Sequence, residues 1–263
     1  MKSILSILIV SVFFIACDKL VEEEAYSILT PNGFFQTEQD ILTGVNGVYD
    51  GMQNPNWYIS TLWMGDMMPG ALCHYWSYQG WNTLNIYDSW STYVNHWQIW
   101  LSSYSIIGRA NVTLNALQSS SVDGDVKIKY EAELRFIRAY AYFILVNTFG
   151  HVPLAVKAPE SLNDVLIPDA SLSANPTSDF LKQVDREDIH KFLVGEFQFC
   201  EKNLPPDYST SSVGRATSWA AKGLLAKLYL KMAGKQYNYK SGQLENGDPA
   251  YYSLSLQKLE EII

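Results

Sequence analysis

The chain has 263 residues, of which 48% are hydrophobic, 14% aromatic and 17% charged, and its formal net charge is −8. That length builds one large domain or two ordinary ones, the aromatic richness excludes a disordered chain, and three cysteines are too few for a disulfide scaffold. An acidic balance of 27 Asp and Glu against 19 Lys and Arg lacks the basic footprint that nucleic-acid binding needs.

The first seventeen residues read as an address. Met1-Lys2 is a short basic start, and Ile4 to Ala16 is an apolar run ahead of Cys17. At about 1.5 Å per residue the run reaches roughly 20 Å, short of the ~30 Å hydrocarbon core. Residues 1–16 therefore read as a secretory signal peptide and not a membrane span. Phe14-Ile15-Ala16-Cys17 resembles a bacterial lipobox, with Phe14 where an aliphatic residue is usual. On that resemblance Cys17 is lipidated and becomes the new N-terminus; the plainer alternative is an ordinary signal peptide with an incidental cysteine. Acyl chains contribute ~0.8 kcal/mol per buried CH₂ and would anchor an otherwise soluble domain. Removal of residues 1–16 takes away one positive charge, Lys2, and leaves the remainder near −9. Residues 17–32, with Asp18, Lys19 and Glu22 to Glu24, read as a polar tether. They also resemble acidic signals that send lipoproteins to the outer face of the outer membrane.

From residue 33 onward the pattern is helical. Segment 33–52 places Ile41, Val45, Val48 and Tyr49 on one face, and Thr37 with Asp40 has the spacing of a capping box. A long helix over about 91–118 spaces Trp97, Trp100, Tyr104, Ile107, Asn111 and Leu114 by threes and fours, which predicts Trp97 and Trp100 in the core. A third helix over about 125–149 aligns Leu134, Arg138, Tyr142, Leu145 and Phe149, and stops at Gly150 with Pro153 beyond. Val152 to Val156 reads as a short extended piece and 158–180 as a long loop. A helix over 186–203 is closed by Pro205-Pro206. The next, over about 216–233, carries small Ala220, Ala221, Gly223 and Ala226, which permit close helix–helix approach. Lys235 to Pro249 reads as a connecting loop, followed by a helix from near Tyr252 that still runs at Ile263. Helices alternating with turns imply a mostly α fold of stacked helical hairpins, an α-α superhelix.

One segment breaks the rhythm. Seven of the eight tryptophans (57, 63, 76, 81, 90, 97 and 100) fall within 57–100, joined by Tyr58, Tyr75, Tyr78, Tyr87 and Tyr93. Cys73 to Asn82 has neither helical nor strand period. So aromatic a loop must pack on something, either as a satellite core or as a stacking platform for a ring-shaped ligand. In the second reading Tyr75, Trp76, Tyr78 and Trp81 supply faces, while Asp66, Gln79 and Asn82 supply hydrogen-bonding edges. Sugars suit that design, because their C–H faces stack on aromatic rings while their hydroxyls meet amides and carboxylates.

Catalytic patterns are missing. His74, His96, His151 and His190 are scattered without metal-ligand spacing, and there is no Gly-rich phosphate loop or nucleophile elbow. Cys73 and Cys200 read as free thiols, with pairing left open. Asp66, Asp88 and Asp185 could pair for glycoside hydrolysis, but solvated carboxylates are the simpler reading. No metal and no cofactor is expected.

Three blocks carry a family resemblance: WLSSYSIIGRAN (100–111), AELRFIRAYAYFILVNTFGHVPL (132–154) and GRATSWAAKGLLAKLYLKMAG (214–234). Together with GFFQTEQDILTGVNGVYDGM (33–52) and the lipobox, they resemble the SusD/RagB family in the same order. The resemblance implies a tetratricopeptide-like helical scaffold supporting long ligand-face loops. It implies a non-enzymatic, cell-surface lipoprotein of the outer membrane that captures oligosaccharides and passes them to a SusC-like TonB-dependent transporter. A peptide ligand, as in RagB-like importers, or a helical-repeat scaffold for protein partners, is the alternative. Segment 57–96 corresponds broadly to the part of the family that contacts ligand. Family members are longer, so the resemblance also implies that 33–263 is an N-terminal helical domain, incomplete at its C-terminus, with an apolar face exposed and poor solubility. Within the blocks, Arg138 and Arg215 are expected to pair with carboxylates or helix-end carbonyls, and Asn111 to be a satisfied core amide.

Overall fold

The computed structural model describes residues 35, 37–58, 60–61, 94–158, 182–238 and 241–263, with the backbone alone for 94–96. Six helices dominate them: α1 (Glu38–Met52), α2 (Val94–Ser119), α3 (Gly124–Phe149), α4 (Arg186–Asn203), α5 (Ser218–Ala233) and α6 (Ala250–Glu260). The segments expected to be a signal peptide (1–16), a lipidated Cys17 with its tether (17–32) and an aromatic platform (66–82), and most of the expected loop 158–180, lie outside the described residues.

Local chemistry sets the helix ends. Thr37 caps α1: its hydroxyl accepts the Asp40 N–H at 3.2 Å, and the Asp40 carboxylate accepts the Thr37 N–H at 2.8 Å. This capping box is the expected one, and it starts the helix at Glu38, later than the expected segment 33–52, with Phe35 in a turn. Asp123 caps α3 by accepting the Asp125 N–H, and Thr217 caps α5 by accepting the Ala220 N–H. The α3 terminus falls where expected, at Gly150, whose φ of 76° would strain any residue with a Cβ.

Packing follows the chain. α2 packs on α3, α3 on α4, α4 on α5 and α5 on α6, while α1 lies against α2 and α3. These are the stacked hairpins the alternation implied. α3 is central: from Ala132 to Ala139 all but Arg135 are buried. A helix buried on more than one side shows little amphipathic contrast. The core joins Ile41, Val45 and Val48 of α1 to Ile106 and Ala110 of α2. It continues through Leu134, Ile137 and Tyr142 of α3 to Leu193 and Phe197 of α4 and Leu225 and Leu228 of α5.

Four expectations are corrected. Trp97 is 63% exposed. The buried face of α2 includes Ile99, Ser103, Ile106 and Ala110 as well as Ile107, Asn111 and Leu114 of the expected stripe, and Trp97 lies about 200° around the helix from Ile99. Trp100, on the flank of that stripe, packs on Phe149 and Tyr104 with ring centroids 5.1 and 5.0 Å away. In α5 the close approach rests on buried Ala221 and Ala226; Ala220 is exposed, and a Cβ on Gly223 would meet nothing. Within 235–249 lies a hairpin, β3 (Gln236–Asn238) antiparallel to β4 (Gln243–Glu245), in register Tyr237 to Leu244. Finally, α6 spans Ala250–Glu260 and does not reach Ile263; Leu254, Leu256 and Leu259 on it are exposed. The short extended piece after α3 is strand β1 (Val152–Pro153), which pairs antiparallel with β2 (Gln183–Val184).

Candidate functional site

The aromatic segment leaves and re-enters the scaffold at one place. Residues 55–58 and 60–61 are helical, and their polar side chains reach α2. The Trp57 indole is buried, donates to the Ser103 hydroxyl at 2.9 Å, and meets the Tyr140 ring edge-on at 5.7 Å. One turn on, the Ser60 hydroxyl donates to the Gln98 side-chain oxygen at 3.1 Å, and Thr61 bonds the Trp57 carbonyl. Residues 60 and 98 are therefore in contact, which ties both ends of the intervening segment to the start of α2. Around this root Tyr58, Trp97 and Leu101 are more than half exposed. Periodicity missed Trp97 as a surface residue; its place within the tryptophan cluster was the signal that could have found it. Asp66, Tyr75, Trp76, Tyr78, Gln79, Trp81 and Asn82 lie outside the described residues.

The polar residues of the three sequence blocks brace this frame. Arg138 donates from one nitrogen to Glu196 at 2.8 Å, and from another to Asn111 Oδ1 at 2.8 Å and the Val156 carbonyl at 3.1 Å. Arg135 binds the other Glu196 oxygen, with contacts of 2.9 and 2.6 Å, and also Glu131 at 3.0 Å. Burial disfavours the Arg135 charge, but Glu196 and Glu131 outweigh it and hold its pKa above the ordinary value. Asn111 uses its amide N–H groups on the Ala155 and Lys157 carbonyls. The Tyr142 hydroxyl exchanges bonds with Ala155, and Tyr104 donates to the Pro153 carbonyl at 2.7 Å. Segment 153–157 is thus stitched to α2 and α3 through its backbone groups, which are costly to bury unpaired.

A second lock joins α1, α3 and the start of α5. Glu133, fully buried, accepts from Arg215 at 2.7 Å and from the Tyr49 hydroxyl at 3.0 Å; the same hydroxyl accepts the Ala216 N–H at 2.9 Å. Burial first, then the Glu133 charge, pushes the Tyr49 phenol well above its usual range, so it stays a donor. Arg138, Arg215 and Asn111 thus take the structural roles expected of them.

Cys200 is a free, buried thiol that donates to the Ala132 carbonyl at 3.3 Å, and burial raises its pKa beyond any nucleophilic use. Asp185 is half exposed beside His151 at 3.6 Å; Asp66 and Asp88 lie outside the described residues. Among the described residues no three His, Cys, Asp or Glu side chains gather to hold a metal ion, and no helix is long and apolar enough to cross a membrane.

His190 is 98% buried in α4 and, chiefly through desolvation and then the Arg186 charge, its pKa falls to about 4. The unfolded chain protonates near its ordinary 6.5, so stability is full above that pH and declines as pH falls towards 4. At about 1.4 kcal/mol per pKa unit, the fall from 6.5 to about 4 is worth roughly 3.5 kcal/mol in full. Urea unfolding at pH 7 and pH 4.5 should show a smaller loss for His190→Gln than for the parent; equal losses would refute this assignment.

Comparison with known proteins fits this geometry. A SusD-like family model, described as "Starch-binding associating with outer membrane", matches residues 20–230. A SusD-like protein of Bacteroides ovatus is 35% identical over 139 residues, covering 51% of this chain and 22% of that protein. The solved structure of a laminarin-binding SusD-like protein aligns at a TM-score of 0.56 and 25% identity, over 74% of this chain and 40% of its own. A crystal structure with xylogluco-oligosaccharide aligns at 0.59 and 25%, over 83% and 39%. The chain thus spans less than half the length of each of these three. Matched along most of its own length and folded as they are, the chain belongs to the SusD-like family.

Proposed function

We propose that this protein is a non-enzymatic glycan-binding lipoprotein, held in the outer membrane by a lipid on Cys17 and facing outward. It captures oligosaccharides and passes them to a SusC-like TonB-dependent transporter. What carries the reading is the likeness to one protein described as laminarin-binding and one crystallised with xylogluco-oligosaccharide, together with a tryptophan-rich segment rooted where the scaffold exposes Tyr58 and Trp97. Tyr75, Trp76, Tyr78 and Trp81 stack on sugar rings, Asp66, Gln79 and Asn82 bond their hydroxyls, and Trp97 extends the aromatic surface. Stacking on, and hydrogen bonding to, an uncharged sugar leave little for salt to screen, so affinity should vary weakly with ionic strength.

Trp76→Ala and Trp81→Ala should each weaken oligosaccharide binding by about 1–3 kcal/mol, by analogy with the range for nucleic-acid bases stacked on aromatic side chains. Calorimetry with a laminarin oligosaccharide series reads this out. Unchanged affinity with lowered thermal stability would make both residues part of a satellite core and defeat the platform.

A further inference from the structure

α5 packs on α4 and α6 and turns its remaining side to solvent. Its five exposed residues are Trp219, Ala220, Lys227, Leu230 and Lys231. At about 100° and 1.5 Å per residue they share an arc of about 120° and run about 18 Å along the axis. The solvent side of a surface helix ordinarily carries charged and polar side chains. This one carries lysines and apolar groups alone. Trp219 is 41% and Leu230 53% exposed, and the two lie about 20° apart around the helix.

The charge is equally one-sided. α5 contains no acidic residue, in a chain whose net charge is −8. Lys222, on the flank, is already engaged: its ammonium lies over the Trp219 ring at 4.9 Å and pairs with Glu261 at 3.1 Å. Lys227, Lys231 and, just past the helix end, Lys235 are exposed. None of these three forms an ion pair among the described residues.

We propose that this face of α5 docks on the anionic surface of a lipid bilayer, with its lysines on phosphates and Trp219 and Leu230 in the headgroup zone. The proposal rests on the outer-membrane reading given under Proposed function. The residue types select the occupant. Protein–protein interfaces are depleted in lysine, enriched in arginine and carry about one directed hydrogen bond per 100–200 Å². The exposed side chains of α5 include no hydroxyl, amide or guanidinium to make such bonds, which argues against a folded partner or a second copy. A phosphate-bearing bilayer demands less geometry. Ammonium groups meet its charge in any orientation, tryptophan settles at the apolar–polar boundary, and lysine stems reach past that boundary. A small anion from solution would satisfy the lysines but leave Trp219 and Leu230 facing water.

The test places the full-length, lipid-anchored gene product in vesicles of phosphatidylcholine, alone or mixed with phosphatidylglycerol. Amine acetylation followed by mass spectrometry reads each lysine. Lys227 and Lys231 should react at least about fivefold more slowly on the anionic vesicles, and added salt should restore their rates. Lys157, exposed beside α2 and α3, should not change. Trp219→Ser with Leu230→Ser should remove most of the protection; should that variant fold poorly, Lys227→Gln read at Lys231 takes its place. Flotation with the neutral vesicles reports the Cys17 anchor separately, so failure of the anchor and failure of this face are told apart. Equal rates on the two vesicle types, or equal slowing at Lys157, would overturn the proposal. So would protection already present on neutral vesicles, the mark of coverage by another part of the chain or a second copy, and so would protection by inorganic phosphate alone.

Discussion

Glu196→Ala is expected to cost about 3–5 kcal/mol of folding stability, the range for removing one partner of a buried ion pair. Glu196 is the shared counter-ion of Arg135 and Arg138, and the Arg138 and Glu196 side chains are 8% and 5% exposed. Without the carboxylate, Arg138 keeps only neutral partners, Asn111 and the Val156 carbonyl, in a site where hydration cannot replace the lost charge. Domains of this kind are stable by only about 5–15 kcal/mol, so the loss should be plain as a fall in the urea midpoint. Replacing Glu196 and Arg138 together by methionine should cost less than Glu196→Ala alone, because no unpaired charge remains at position 138. A single-variant loss under about 1 kcal/mol would contradict the assignment.

Glu133→Ala comes next, at about 2–3 kcal/mol. Glu133 is fully buried, but its partner Arg215 keeps 18% of its side chain exposed, so part of the freed guanidinium rehydrates and the penalty is smaller. The damage is spread widely: Tyr49 loses its acceptor on α3, and the start of α5 loses Arg215 as an anchor. Glu133→Gln keeps the shape and an acceptor and should lose distinctly less. Thermal unfolding of the two variants side by side measures the difference; equal losses would place the effect in packing and not in charge.

Both locks were legible in outline. Charged residues inside an apolar helical run, such as Glu133, Arg135 and Arg138, must find partners, so a structural role followed from physics alone. Which partner they find did not, because Glu196 and Arg215 are 58 and 82 residues away from their mates, beyond any local pattern. The ends of α3 and α4 could be read from Gly150 and Pro205-Pro206, since these signals act on the backbone itself. Trp97 is misplaced because the expected stripe holds further along α2, where Ile107, Asn111 and Leu114 are buried, but at its N-terminal end Ile99 and not Trp97 is the buried residue. The β3–β4 hairpin escaped for a related reason: its strands are three residues each and mostly exposed, so no apolar alternation marks them.

The central claim, glycan capture, is tested most directly by isothermal calorimetry on the full-length gene product. Laminarin, xyloglucan and starch oligosaccharides would be titrated against a peptide panel of matched length. The account predicts saturable binding to at least one oligosaccharide series, little changed by added salt and weakened by Trp76→Ala and Trp81→Ala. Binding to peptides alone, with no oligosaccharide response, would contradict it.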